Sequence, residues 1–587
     1  MDDLSQYTNR KLPWSPRTTD FNEIAAHPYK GEGTKGSPFQ VVWLPNDAEN
    51  PLNMSEIEKW TLAAFVSIAT LAVALASSAY SGAVRSIKME LGGSSTVITL
   101  GVSLFVLGFA LGPLIWAPLS ELLGRRNLFL FTYAFLTLWN SVAAASQTLA
   151  QLLVFRFLAG AFGSSPLANA GGSIADVFTA KERGLAMALF ASAPFLGPAL
   201  GPITGGFLGE SAGFRWVQGF LGIFSGVVLF LGIFMYRETY APLLLRRRAK
   251  KLSKATGKHY ISQLDAGKGD ETFLKQFMVS LGRPWLLLAY EPIVLLLSLY
   301  TAVVYAILYS FFSAFPIVFQ EVRGWSPGIG GLAFLGILVG MIFAFAFVIF
   351  YINPDYIKEV EKNGGFFAPP EVRLKGALVG APLLVLGLAL FAATDFPSIH
   401  WSVPIILSSP FGFAMVLIFL SLQNYLIDAY LLYAASVLAA NSVIRSLLGA
   451  AFPLFTPFMY NPGGIGVVKY GIHIGPAIGG GIALLFLPAP FLFYKRGAAI
   501  RKKCKYAAEA DKLLQRMLNA GKEQESKESA VQQEQQTDEA IMQDDDVEQA
   551  DDRIQRHASR SNRRQASGTG YADGDQLSMQ YSHHSVY

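Results

Sequence analysis

The sequence of 587 residues contains one cysteine, Cys504, which excludes an internal disulfide and fits a reducing environment for that segment. Histidine is nearly as scarce. There are seven, none at metal-ligand spacing, so no metal is expected. No GxxxxGK[S/T] phosphate loop is present, which leaves ATP-driven export without its usual device. No arrangement of nucleophile and base points to an enzyme, and nothing points to a bound cofactor. Charge is thin as well: Asp, Glu, Lys and Arg make 15% of the chain, crowded into both ends and one middle segment. The net charge of +5 says little about nucleic acid, because the basic residues cluster beside the apolar runs, and no nucleic-acid partner is expected. Within the apolar runs, no Asp or Glu falls near a midpoint.

What is abundant is apolar. Hydrophobic residues make 52% of the chain, with 44 Phe and 23 Tyr. They gather in runs of about 20 residues, enough to cross a bilayer. Such runs fall at 61–83, 97–119, 128–147, 150–173, 185–209 and 214–236, then at 291–315, 327–352, 375–394, 401–423, 429–456 and 471–494. The sequence predicts an all-α integral membrane protein with twelve transmembrane helices in two six-helix halves, 61–236 and 291–494. Around them lie an N-terminal tail (1–60), a basic central loop (237–290) and a C-terminal tail (495–587). From residue 521 that last segment is rich in Gln, Glu, Asp and Ser and reads as disordered. The N-terminal tail has no apolar signal-peptide core, so the first span reads as an uncleaved anchor.

Lys and Arg set the orientation. Arg125, Arg126, Lys181, Arg183, Lys358, Lys362, Arg373 and Lys375 fall in loops on the side of the tails. Only Arg85, Lys88, Arg215, Arg323 and Lys469 fall opposite. Both termini are therefore expected in the cytosol, where the sequon at Asn53 goes unmodified. The run RRRAKK (246–251) suits either an orientation signal or a site for membrane-lipid headgroups.

Four local patterns stand out. In residues 193–206, APFLGPALGPITGG, Gly197, Gly201 and Gly205 recur every four positions, as do Pro194, Pro198 and Pro202, with Gly206 next after Gly205. On a helix the glycines make a smooth face for close approach, and the prolines kink it. That pattern fits a packing seam or a gating helix. In residues 117–126, APLSELLGRR, Glu121 and Arg125 are four apart and can pair, while Gly124 permits a turn. Arg156 lies inside the apolar run LLVFRFLAGAFGSSP (152–166), where a charge costs about 2.5–3.5 kcal/mol at a helix centre. It either snorkels to the membrane face or faces a wet interior, and Arg445 in span eleven has the same two readings. Finally, Glu291 opens span seven and Asp428 falls in the first turn of span eleven. Both suit helix N-termini, and both suit the mouth of a substrate path.

Several of these stretches resemble one family. GPALGPITGG is similar to the fifth-helix signature of twelve-helix antiporters of the major facilitator superfamily. APLSELLGRR resembles that superfamily's loop motif, G-x-L-a-D-r-x-G-R-R, with Ala117 for the leading glycine and Glu121 for the aspartate. Arg156, Gly160 and Gly163 match the R-x-x-x-G-x-x-G pattern of span four that is linked to proton transfer. RETYAP (237–242) resembles the PETYAP of fungal drug:proton antiporters, with Arg237 in place of proline. Residues 291–319 and 425–455 look like spans seven and eleven of the branch holding fungal polyamine exporters and toxin or azole pumps. The resemblance runs over residues 48–498. It implies the major facilitator fold, with a substrate site between the halves near the membrane midplane. It further implies export by proton antiport and alternating access, from a monomer in the plasma or the vacuolar membrane. The coupling and gating residues it implies are Arg156, the loop latch Glu121 and Arg125 with Asp176 and Arg183, and Gly197, Pro198, Gly201, Pro202, Gly205 and Gly206.

Substrate class depends on which groups the spans can solvate. A polyamine needs a carboxylate for each buried charge, and only Glu291 and Asp428 lie near one entrance. Aromatic side chains are available instead: Tyr300, Tyr305, Tyr309, Phe311 and Phe312 in span seven, Trp116 and Trp139 in the other half. Such rings suit flat or amphipathic organic molecules. The expected substrate is an uncharged or weakly acidic metabolite, toxin or drug, with Glu291, Tyr300, Tyr305, Tyr309, Asp428 and Arg445 along its path. Polyamine export, passive uniport, proton-coupled import and a membrane sensor remain open alternatives.

Overall fold

The computed structural model describes residues 19–179, 182–265, 273–362, 368–460 and 472–512. The side chain of Arg183 and the tail beyond residue 512 lie outside the described residues. The chain divides into two units, Met1–Asp511 and Lys512–Tyr587, and every helix named here belongs to the first.

Two short elements precede the membrane, α1 (Phe21–Ala26) and β1 (Phe39–Val41). The first half comprises α2 (Glu56–Ala79), α3 (Val84–Leu91), α4 (Ser95–Leu123), α5 (Arg125–Ala144), α6 (Leu149–Val177) and α7 (Arg183–Met235). Between the halves lie α8 (Ala241–Thr256), β2 (Tyr260–Ser262) and α9 (Phe273–Tyr290). The second half runs through α10 (Pro292–Phe315), α11 (Pro327–Gly331), α12 (Leu335–Phe347), α13 (Asn353–Lys362) and α14 (Lys375–Thr394). It closes with α15 (Ser402–Leu407), α16 (Ser409–Ala429), α17 (Ala434–Tyr460), α18 (Ile474–Phe486) and α19 (Pro488–Arg501).

Among the described residues, ten helical stretches are long and apolar enough to cross a bilayer. Helices dominate because a backbone in lipid must satisfy its own hydrogen bonds. One stretch, Gly184–Met235, is 52 residues long and breaks at Gly213, whose φ of 81° takes glycine's freedom from a Cβ. It therefore supplies two passes. α6, richer in Gly, Ser and Asn and carrying Arg156, supplies one more, which brings the passes among the described residues to twelve. Side-chain capping boxes start α2 at Ser55 with Glu58 and α6 at Thr148 with Gln151.

One boundary differs from the sequence expectation. Span ten continues to Ala429, so Asp428 falls in the last turn of α16 and not in the first turn of span eleven. The stretch QNYLIDAY has no glycine or proline to stop the helix, and the chain turns only at Tyr430.

Within the first half α2 and α5 pack on α7, and α4 packs on α6; in the second, α10 packs on α17, and α12 and α14 pack on α16. The halves meet where α7 lies on α11 and α12 and where α4 lies on α17. These seam contacts involve helices with glycine or small residues at the crossing, which lets backbones approach.

Outside the spans, the N-terminal segment folds onto the central one. β1 pairs in parallel with β2, Phe39 opposite Tyr260 and Val41 opposite Ser262. Ile24, Tyr29, Val41 and Leu44 bury against Leu245, Ala249 and Leu252 of α8. Arg248, from the RRRAKK run, donates to both carboxylate oxygens of Asp47 at 2.5 and 3.0 Å and to Glu49 at 2.8 Å. Its side chain is 3% exposed, and that of Asp47 is fully buried. Arg246 pairs with Asp265. Part of the basic run thus holds a folded cap together.

Burial alone would raise the Asp47 pKa, but hydrogen bonds from Arg248 and Thr19 and the Arg248 charge hold it below the usual carboxylate range. A lowered folded-state pKa stabilises above the ordinary aspartate value of about 3.9 and is lost as pH falls through the folded one. The cap is therefore expected to persist at neutral pH and open in strong acid. Arg248→Met leaves a buried carboxylate without its counter-charge, a change that typically costs about 3–5 kcal/mol. Limited proteolysis of the purified protein should then cut the N-terminal segment much faster than in the wild type, and equal rates would refute the role of this pair.

Candidate functional site: a seam between two arginines

Arg156 neither snorkels nor finds a carboxylate. It is 0% exposed, and it donates through Nε to the Gly101 carbonyl (3.1 Å), Nη1 to Ala76 (2.8 Å) and Nη2 to Ser77 (3.2 Å). Its guanidinium also lies over the rings of Phe105 and Tyr80, at 4.2 and 4.9 Å. The Ala76 and Ser77 carbonyls are available because α2 gives way to a 3-10 turn at Tyr80–Ala83, and that change of hydrogen-bond register leaves acceptors short of partners. One cation thereby ties α2, α4 and α6 together.

From Ser77 a chain of hydroxyls crosses to the second half. The Ser77 hydroxyl donates to the Ala74 carbonyl (2.6 Å), so its 2.8 Å contact with Tyr309 is one in which the tyrosine donates. The Tyr305 hydroxyl donates in turn to Tyr309 at 3.2 Å. Beyond Tyr305 lies Arg445, its guanidinium 4.9 Å from the ring centroids of both Tyr305 and Phe419. Phe195 of α7 meets Phe419 edge-on at 4.8 Å and approaches Phe345 of α12. Nearby, Asn441 donates to Thr301 (2.7 Å) and Ser298 (3.3 Å) and accepts from Gln423 (3.2 Å). Among the described residues no Asp or Glu forms an ion pair with either arginine. The seam is aromatic, hydroxylated and positively charged.

The glycine helix has two faces at work. A Cβ on Gly197 would meet Ala74 and Leu75, one on Gly201 would meet Ser78 and Ala79, and one on Gly205 would overlap the Ala79 carbonyl. Gly206 faces the Pro327 carbonyl across the seam, while Gly331 faces that of Pro202. Glu210 secures the same end by accepting the Gly328 N–H at 2.8 Å. Pro198 and Pro202 lie inside the helix, where each removes a backbone donor.

At the opposite end of the first half, Arg125 does not take Glu121, the partner that four-residue spacing offers, but Asp176, the acid after span four that the family resemblance set beside it. Arg125 pairs with Asp176 at 3.4 Å, 51 residues on, and reaches the Ser120 hydroxyl, while Glu121 is exposed. Glu238 completes the cluster, accepting the Arg125 backbone N–H at 2.9 Å, and Thr239 donates to Asp176 at 3.1 Å. Glu238 and Thr239 belong to the RETYAP stretch, so the signal for them was in the sequence. The four-residue spacing favoured Glu121 because it counts only along one helix, and α4 ends at Leu123, one residue before Gly124, while Arg125 begins α5.

The other candidates separate. Glu291 is 0% exposed, accepting from the Tyr430 hydroxyl (2.8 Å) and the Tyr506 N–H (2.9 Å), with the buried Cys504 thiol against it. Asp428 is paired with Arg373 at 2.8 Å. Neither carboxylate is a free acid at an open mouth. Tyr300 stacks on Phe486 at 5.6 Å, Phe311 joins Phe391 and Phe411, and Phe312 lies between Tyr309 and Phe334. Trp116 and Trp139 pack inside the first half, against Phe162 and Phe155, away from the tyrosine pair. Ser77, Phe195, Phe419 and Asn441 were not singled out from sequence; small polar or aromatic residues in apolar runs carry no pattern that marks a seam.

Comparison with known proteins agrees with this architecture. Residues 66–453 match the model of the Major Facilitator Superfamily. The chain is 56% identical over 514 residues to the MFS-type efflux pump MFS2 of Trichophyton rubrum, spanning 87% of this chain and 85% of that one. It is 52% identical over 530 residues to the Major facilitator superfamily multidrug transporter mdrA of Aspergillus fumigatus, spanning 90% and 86%. Efflux pump FUB11 of Gibberella moniliformis is 50% identical over 489 residues, spanning 83% and 81%. Among solved structures, the proton:xylose symporter XylE bound to 6-bromo-6-deoxy-D-glucose superposes with a TM-score of 0.55 at 14% identity, over 75% of this chain and 96% of that one. At that identity the likeness concerns the fold alone. This chain belongs to the major facilitator superfamily, in the group of its fungal drug-efflux members.

Proposed function

We propose that the protein is a secondary active efflux transporter that exports a small organic toxin, secondary metabolite or drug by proton antiport and alternating access. The observation that carries this reading is the set of fungal relatives at 50% identity or more, matched over most of both chains and named efflux pumps or a multidrug transporter. The seam adds a constraint on cargo. Two arginines and several aromatic rings there suit an uncharged or weakly acidic molecule, and a polycation would meet uncompensated positive charge. Proton coupling is supported by the likeness of Arg156, Gly160 and Gly163 to the span-four motif. On this reading the protein works in the plasma membrane as a monomer with both termini cytosolic. The proteolysis described for the cap, repeated on sealed inside-out vesicles, reads that orientation, since added protease reaches the cap only if it faces the cytosol.

A deletion strain exposed to two panels, hydrophobic azoles or toxins and spermidine-type amines, tests the function. Expected is selective sensitivity to the first panel, reversed by this gene, with a several-fold change in inhibitory concentration. Selective sensitivity to the amines would overturn the reading in favour of polyamine export.

A further inference from the structure

We infer that Arg445 is an anion subsite, receiving the carboxylate or an equivalent negative group of a flat aromatic substrate in the middle of the seam. This deepens the efflux reading and rests on it. The two seam arginines differ in how their donors are spent. Arg156 uses Nε, Nη1 and Nη2 on three fixed backbone carbonyls and is fully enclosed. Arg445 has one hydrogen bond among the described residues, a 3.5 Å contact from Nη2 to Ser442 one turn away on its own helix. Its Nε is buried and has no partner, a state that costs free energy until an acceptor arrives.

The geometry selects the acceptor. Tyr305 and Phe419 approach the Arg445 guanidinium, which leaves its edge for hydrogen bonding. The edge of a guanidinium is where a carboxylate binds through two parallel hydrogen bonds. Arg445 also keeps intermediate exposure near the middle of α17, unlike Arg156, which is fully enclosed. The Tyr305 hydroxyl is committed to Tyr309 and does not compete for the ligand. Phe195 and Phe345 extend the aromatic wall beyond Phe419, and such a wall fits the ring system of the same ligand. An uncompensated guanidinium in low dielectric attracts an anion and repels an amine.

Three probes with one ring system test this on the full chain in lipid nanodiscs: 2-naphthoate, its methyl ester and 2-naphthylmethylamine. By equilibrium binding, the wild type should hold naphthoate at least tenfold more tightly than the ester, with the amine weakest. Arg445→Gln should shrink the naphthoate-to-ester ratio tenfold or more, and Arg445→Lys should restore part of it. A wild type that ranks the ester or the amine at or above naphthoate overturns the subsite, and this holds even if the variants do not accumulate. So does an Arg445→Gln protein that weakens all three probes alike, because that is what a packing role alone would produce. The strain assay keeps the two readings apart: azole export without a preference for naphthoate removes the anion subsite and leaves the efflux function standing.

Discussion

Gly205→Ala is expected to abolish transport, although it adds a single methyl group. The new Cβ would overlap the carbonyl oxygen and carbon of Ala79, and backbone atoms cannot rotate away as a side chain could. Either α2 and α7 separate, or the helix bends and disturbs the contacts of Gly206 with Pro327 and of Gly331 with Pro202. Overpacking of this kind typically costs about 1–3 kcal/mol, and here it falls on a crossing that also sets the fit between halves. Transport per unit of membrane protein should drop at least tenfold. Gly219→Ala supplies the control, because nothing lies within 4 Å of a Cβ at that position on the same long helix. Full activity of Gly205→Ala, or equal loss in both variants, would show that the glycine face has no role in transport.

Arg156→Ala should be nearly as damaging, for a different reason. It withdraws donors from the carbonyls of Ala76, Ser77 and Gly101, and each buried acceptor left unmade costs about 1–3 kcal/mol. It also opens a cavity between Phe105 and Tyr80. We expect a lower melting temperature and loss of proton-driven transport in reconstituted vesicles. Arg156→Lys keeps the charge, but a single ammonium cannot reproduce a planar fork that reaches two helices, so only partial rescue should result. Proton-driven transport at the wild-type rate by Arg156→Ala, with normal protein levels, would make the residue dispensable for coupling.

Much of this molecule can be read along the chain because membrane helices are written in long apolar runs. Arg156, the glycines at four-residue spacing and the Gly124 turn all declare themselves locally. What escapes sequence reading is contact between segments far apart. Arg125 takes its carboxylate from Asp176 and a second acid from Glu238; no spacing rule along one helix reaches either, and only the family resemblance set Asp176 beside Arg125. Asp428 changes helix because span ten ends without a glycine or proline to mark the stop. The parallel pairing of Phe39–Val41 with Tyr260–Ser262 joins two polar segments that composition alone describes as a tail and a loop. The same limit hides the hydroxyl chain from Ser77 to Tyr305, since each member is ordinary in its own span.

The solitary cysteine has a practical consequence. Cys504 is 6% exposed, and burial, reinforced by the nearby Glu291 charge, pushes its thiol up to about 11. At pH 7 the reactive thiolate is then about one part in ten thousand. The natural protein is therefore expected to serve as a ready-made unlabelled background for maleimide and spin-label chemistry. A pair of cysteines placed on α2 and α10 could report distances between the halves directly, without first rebuilding the chain to remove its own thiol.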